Sequence, residues 1–283
     1  PANVVGATIH VRRMWLVLKD SITPYYLAVD SVGGAATAFN LAGYMSKGGY
    51  IMAAETWTLD AGEGAEDYLV FVSSEGQVAV FRGTDPSQDT TWALSGVWNI
   101  GEPIGRRCMI KYRGDCLITC VDGVYPLSAA LMSSQTNPEA ALTFKISKAM
   151  TDAARLYKDN FGWQLLHYPG ANMLLLNVPR DTVADNEQFA MNTITKAWGG
   201  PFQGIPAICW TIHKGEPYYG TTSEVGRFWG TFDDNGDEIE GELQFAYSYL
   251  RGSGRLTEIN AMRVNLLSSG NPSMLVGINT DFQ

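Results

Sequence analysis

Charge is scarce in this chain. Asp, Glu, Lys and Arg make up 17% of 283 residues, against about 25% in ordinary soluble domains. What charge there is leans acidic, with a net −9. That excludes a protein that grips nucleic acid through clustered Lys and Arg. It leaves room for a surface past which DNA slides, since like charges repel. Histidine is scarcer still: His10, His167 and His213 are the only imidazole bases on offer. His167 and His213 each stand shortly before a turn glycine, which reads as a strand-end role. The four cysteines, Cys108, Cys116, Cys120 and Cys209, form no C-x-x-C pair, so the usual zinc and redox patterns are missing. All four sit among apolar neighbours and read as buried, reduced thiols. No apolar run is long enough to cross a bilayer as a helix.

The usual catalytic signatures are missing too. There is no G-x-S-x-G elbow, no H-E-x-x-H and no Gly-rich phosphate loop closed by Lys and Ser or Thr. A glycosidase would need paired carboxylates facing one pocket, yet the acids cluster in turns, at Glu63, Glu66 and Asp67 and from Asp233 to Glu242. Asp233, Asn235 and Asp237 alternate as calcium-loop ligands do. An EF-hand would then need Gly where Glu238 stands and an acid where Gln244 stands. A hairpin turn on Asn235-Gly236 is the better reading. Arg113-Gly114-Asp115 spells an adhesion tripeptide inside an ordinary inter-strand turn. No catalytic, cofactor or metal residue is therefore assigned.

Glycine and aromatics are what the chain has in plenty, and they recur in order. A unit of strand, Gly turn, strand, turn and strand repeats five times. The clearest copies run over 107–128 and 207–229, a third over 163–192, and partial copies over 67–81 and 14–29. Turn glycines Gly114, Gly170 and Gly215 fall 56 and 45 residues apart, about one four-stranded blade. The fold expected is all-β: divergent β-propeller blades over 1–230 and a small C-terminal β-sheet over 231–283. Residues 7–30 read as a hairpin that turns at Thr23-Pro24. One segment breaks the pattern. Ile146, Met150, Ala153 or Ala154, and Tyr157 make an apolar stripe at helical spacing, so a short helix near 146–158 is expected between blades. The eight tryptophans, Trp15, Trp57, Trp92, Trp98, Trp163, Trp198, Trp210 and Trp229, read as packing between blades rather than as a sugar platform. Because the first strand is under way by Ile9, a further part of a longer protein is expected before it.

The helix and its flanks carry a resemblance. A strand TFKIS precedes the helix KAMTDAARLY. Then come FGWQLLHYPGANMLLLNVPR, with Asn177-Val178-Pro179 at a strand end, and Met191-Asn192-Thr193. A blade led by Trp198 follows, with Cys209 and the Tyr219-Gly220 turn. This run resembles the propeller-bearing structural proteins of short-tailed bacteriophages, the tail hub or nozzle (packaged-DNA stabilisation) family. It is densest over 140–250 and thinner over 50–140. The resemblance implies a virion structural protein without enzymatic activity or cofactor, assembled in the host cytoplasm into a hexameric ring. The ring would dock on portal, adaptor and other tail proteins, extend the channel for double-stranded DNA and help retain the packaged genome. The chain departs from that family by lacking the N-terminal part that would close the ring of blades. Two other readings stand beside it: a secreted or surface carbohydrate-binding propeller, and a glycoside-active enzyme on the same fold, since fold alone does not decide function.

Overall fold

Runs of alternating or continuous apolar residues, cut by tight turns, fold among the described residues into eighteen short antiparallel strands. The computed structural model describes residues 3–60, 65–132 and 138–231, then 233, 236, 238–239, 241–242, 244, 258–265 and 273–278. Within each sheet, each strand pairs with the next in sequence. Blade one holds β1 (Val4–His10), β2 (Arg13–Leu18), β3 (Tyr25–Tyr26) and β4 (Thr37–Ala38). Blade two holds β5 (Ile51–Asp60), β6 (Ala65–Ser73), β7 (Gln77–Gly83) and β8 (Trp92–Asn99). Blade three has three strands, β9 (Met109–Tyr112), β10 (Asp115–Cys120) and β11 (Gly123–Pro126). Helices α1 (Leu127–Met132) and α2 (Ser147–Tyr157) follow it. Blade four holds β12 (Gln164–Tyr168), β13 (Met173–Val178), β14 (Glu187–Asn192) and β15 (Trp198–Phe202). Blade five holds β16 (Cys209–His213), β17 (Glu216–Gly220) and β18 (Val225–Arg227). Five such sheets in series make a β-propeller.

Consecutive blades touch through their first strands: β1 lies against β5, β5 against β9, β9 against β12 and β12 against β16. These are the inner strands. The core is correspondingly four slabs between sheets. Trp15, Leu69, Phe71, Phe81 and Trp92 fill the first seam; Trp57, Val70, Val80, Cys116, Ile118 and Cys120 fill the second. Leu117, Leu165, Leu174, Leu176 and Met191 fill the third, where Met150, Ala153 and Ala154 of α2 also dock; Leu166, Leu175 and Trp210 fill the fourth. Blades two and four read as continuous apolar runs because both faces of their middle strands are covered; β13 is buried at all six positions. Among the described residues, no comparable packing joins the fifth sheet to the first.

Several local expectations change. The expected turn at Thr23-Pro24 lies in the connection that joins β2 to β3, but the chain also reverses earlier, at Val11-Arg12, both at positive φ (43° and 62°). A two-residue turn of primed type suits the strand twist, and non-glycine residues in it leave no sequence punctuation. TFKIS is not a strand: Phe144–Ile146 form a 3₁₀ turn leading into α2. The strand that Trp198 opens closes blade four rather than leading blade five, since Met191 pairs with Trp198 and blade five starts at Cys209.

The chain divides into two compact units, 1–230 and 231–283. The eighteen strands of the described residues belong to the first. In the second, Asp233 Oδ1 accepts the Gly236 N–H at 3.0 Å, and residues 258–265 and 273–278 carry no helix or strand. The strand-like run at 245–257, with Asn235 and Asp237, lies outside the described residues.

Candidate functional site

The starts of the inner strands gather at one end of the array, and two consecutive arginines sit there. Arg106 and Arg107 precede β9. Arg106 reaches back: its Nη1 donates to the Ile51 carbonyl at 2.9 Å and its Nη2 to Asp20 at 3.0 Å, with the guanidinium 4.6 Å over the Tyr50 ring. Arg107 reaches forward. Its Nη1 donates to Gln164 Oε1 at 3.2 Å and to the Ile208 carbonyl at 3.4 Å, and it lies 5.3 Å over Phe161. Gln164 is itself fixed, because its amide trades two bonds with the Trp210 backbone, at 2.7 and 2.9 Å. Arg106 has a carboxylate partner in Asp20, whereas Arg107 has none among the described residues. Beside Arg107 lies a depression of about 290 Å³, bordered by Cys209, Thr211, Tyr218, Gly220 and Val225.

Midway along the inner strands, Glu55 gathers three elements. Its Oε1 accepts from Thr8 at 3.0 Å and from the Thr56 N–H at 2.9 Å, and stands 3.5 Å from Lys111 Nζ. The three histidines occupy the far ends of inner strands. His10 is 2% exposed; its Nε2 is 3.3 Å from the Gly83 carbonyl and its Nδ1 3.4 Å from Thr56 Oγ1. Burial holds His10 below the ordinary imidazole value of 6.5. His167 is shifted the same way, by burial first and by Arg113 second, and packs edge-on to Tyr112 at 4.8 Å. His213 is exposed near Tyr218.

The other residues singled out in sequence are scattered. Cys108, Cys116 and Cys120 are buried and unpaired, and Cys209 is half-buried. Burial pushes the Cys108 and Cys116 thiols up to about 12, and Cys120 well above its usual value. Thiols so protected are poor nucleophiles. Arg113 donates to the Thr193 carbonyl, and Asp115 accepts the Ser128 hydroxyl at 2.5 Å and its N–H at 3.2 Å. The tripeptide's charges are thus turned inward to neighbouring elements. Glu66 accepts from Tyr68 and Asp67 from Thr58; Glu63 lies outside the described residues. Among the described residues no three His, Cys, Asp or Glu side chains stand close enough to hold a metal. Trp15, Trp57, Trp92, Trp163 and Trp210 are buried in the seams, whereas Trp229 is 59% exposed. Trp229 borders a second depression of about 360 Å³ with Trp198, Phe202, Met173 and Met191.

No known family profile and no curated protein matches the chain. The solved structures similar in fold include two from fission yeast. One is the WD40 domain of SCAP from fission yeast, with 12% identity and a TM-score of 0.38, covering 79% of this chain and 54% of that one. The other is the complex of the fission yeast SREBP and SCAP binding domains, with 14% identity and a TM-score of 0.40, covering 79% and 59%. The chain thus spans less than two-thirds of either. At this distance the likeness concerns the fold alone.

The arginine clasp and the Gln164 anchor went unread in the sequence. The signal available was the Arg106-Arg107 doublet in a chain otherwise poor in charge. Its partners lie 55 and 57 residues away or more, and only the packing of inner strands brings them together.

Proposed function

We propose that the chain is a structural component of a phage tail, a hub or nozzle subunit that assembles into a ring and extends the DNA channel. The observation that supports this reading is the outer face of blade one. Ala7, Ile9, Met14, Leu16 and Tyr25 share that face through the β1–β2–β3 register, with Val5 and Leu18 beside them, and none carries a charge. Ile9 is 64% and Val5 37% exposed. A contiguous apolar sheet face of this kind marks an interaction surface, and it resembles in composition the faces that the inner seams bury. Subunit assembly suits it, and a low-charge, acidic chain suits passage of a polyanion. The resemblance over 140–250 supplies the tail. Electron microscopy of the purified protein, with mass measured in solution, tests the reading. The expected outcome is a six-fold ring with an opening wide enough for duplex DNA; a monomer at every concentration, also after mixing with purified portal and adaptor, overturns it.

A carbohydrate-binding propeller is the second reading, and one observation favours it. Trp198, Phe202 and Trp229 present aromatic surface around one open depression, the kind of face on which sugar rings stack. Trp229 also stands at φ 71°, a conformation that is strained for a bulky residue. Glycan-array binding that is lost in Trp229→Ala would displace the tail reading in its favour.

A further inference from the structure

We propose that Arg107 and the depression beside it form a binding site for an oxyanion, a phosphate or carboxylate group carried on a small apolar or aromatic body. A guanidinium has five N–H donors in a rigid plane. In Arg107 both Nη1 hydrogens are spent, on Gln164 Oε1 and on the Ile208 carbonyl. The Nε–H and the Nη2 pair make no bond among the described residues. That edge is the fork that matches two oxygens of a phosphate or carboxylate.

The fork is held in place beforehand. Gln164 cannot rotate away without breaking its two bonds to Trp210, and Phe161 lies under the guanidinium plane. An ordinary surface arginine loses side-chain entropy when it binds an anion; this one has already been ordered by the fold, which favours affinity. No carboxylate of the described chain neutralises it. Its neighbour Arg106, one residue away, is paired with Asp20, so the two positions differ in kind.

The depression supplies the rest. Thr211 and Val225 are exposed on its border, and the Thr211 hydroxyl has no hydrogen-bond partner among the described residues, so it is open to a ligand oxygen. Tyr218, Gly220 and Val225 give apolar surface for the body that carries the anion. Glu216, two residues before Tyr218, is engaged by Tyr218 at 3.3 Å and by Arg227 at 3.4 Å. At about 290 Å³ the space suits a single ring and its head group. The site lies within one unit and does not depend on ring assembly, so it stands or falls separately from the tail reading.

Isothermal titration calorimetry of the whole chain with phenyl phosphate, benzoate, inorganic phosphate and neutral benzamide tests it. One-to-one binding of phenyl phosphate or benzoate is expected, weaker binding of inorganic phosphate, and none of benzamide; the tighter of the first two identifies the head group. Arg107→Gln is expected to weaken binding at least tenfold. Arg107→Lys, which keeps the charge and loses the fork, is expected to weaken it by about as much. Val225→Asp, at a position 77% exposed, places a competing carboxylate by the fork and is expected to abolish binding without affecting folding. The proposal is overturned if no anion binds the unaltered protein at millimolar concentration, if benzamide binds equally well, or if Arg107→Lys and Val225→Asp bind as the parent does.

Discussion

His10 shows how much one buried side chain can be asked to carry. It sits in the seam between blades one and two, with Gly83 and Thr56 on its two nitrogens and the Trp92 ring 5.8 Å away. Glu55 and Lys111 are tied to each other nearby, and Asp67 is the more distant acid whose field favours protonation. Burial wins, so the folded protein prefers neutral imidazole. The sign follows. With the folded-state value below the unfolded one, the unfolded chain binds a proton first, and stability falls as pH drops below about 6.5. His167 adds to the same slope. Urea midpoints between pH 7.5 and 5 should therefore decline for the parent, and less steeply for His10→Gln. An identical slope in the two would remove His10 from the account. Gly83 is a second residue with no substitute. It stands at φ 125°, and a Cβ there would fall 1.9 Å from the Thr91 carbonyl. Gly83→Ala is expected to cost on the order of 2–3 kcal/mol, read as a shift in the same midpoint.

Between elements, the join of blades four and five rests on one amide. Asn177 is fully buried on β13. Its Nδ2 donates to the Gly162 and Ala207 carbonyls at 2.8 and 3.1 Å, and its Oδ1 accepts from Gln188 and from the Trp210 indole, each at 2.9 Å. Every valence of the amide is used. The Asn-Val-Pro motif was legible in sequence as a strand end; that its asparagine ties one blade to the next was not, because the partners come from three separate segments. Asn177→Ala orphans the buried Trp210 indole N–H and the Gly162 carbonyl, each worth about 1–3 kcal/mol when left unsatisfied. Ala207 and Gln188 each lose one bond and keep Asn186 and Ile205, respectively, as partners. We expect a loss of at least about 3 kcal/mol in thermal or urea unfolding. Asn177→Asp should fare no better, since it keeps the acceptor but loses both donors. Strand existence was readable wherever apolar runs met glycine. Strand membership was not: Trp198–Phe202 looks like the opening of a blade and closes one instead, because Met191 across the ladder decides its partner.

At the scale of the whole molecule, the array has two unlike ends. Blade one presents aliphatic side chains and a tyrosine, and blade five presents Cys209, Thr211, Tyr218, Val225 and Arg227 on its own free side. If the first face is an assembly surface, a charge placed there should block assembly without affecting the fold. Ile9→Asp is expected to leave the unfolding transition within about 0.5 kcal/mol of the parent, since the side chain is 64% exposed. It should also shift the sedimentation profile from oligomer to monomer. Unchanged sedimentation would separate that face from assembly.

Period and pattern belong to the sequence. Turn glycines, alternating apolar positions and the stripe on α2 are short-range properties, and they specify blades, turns and the one longer helix wherever the chain is met. What joins distant positions was settled by packing. The Arg106-Arg107 clasp, the Gln164 anchor, the Asn177 knot and the seam around His10 all depend on inner strands lying side by side, many tens of residues apart. A linear pattern records which face of a strand is apolar. Which neighbour covers that face, and which polar groups must then find partners because water is excluded, is decided only when the sheets meet.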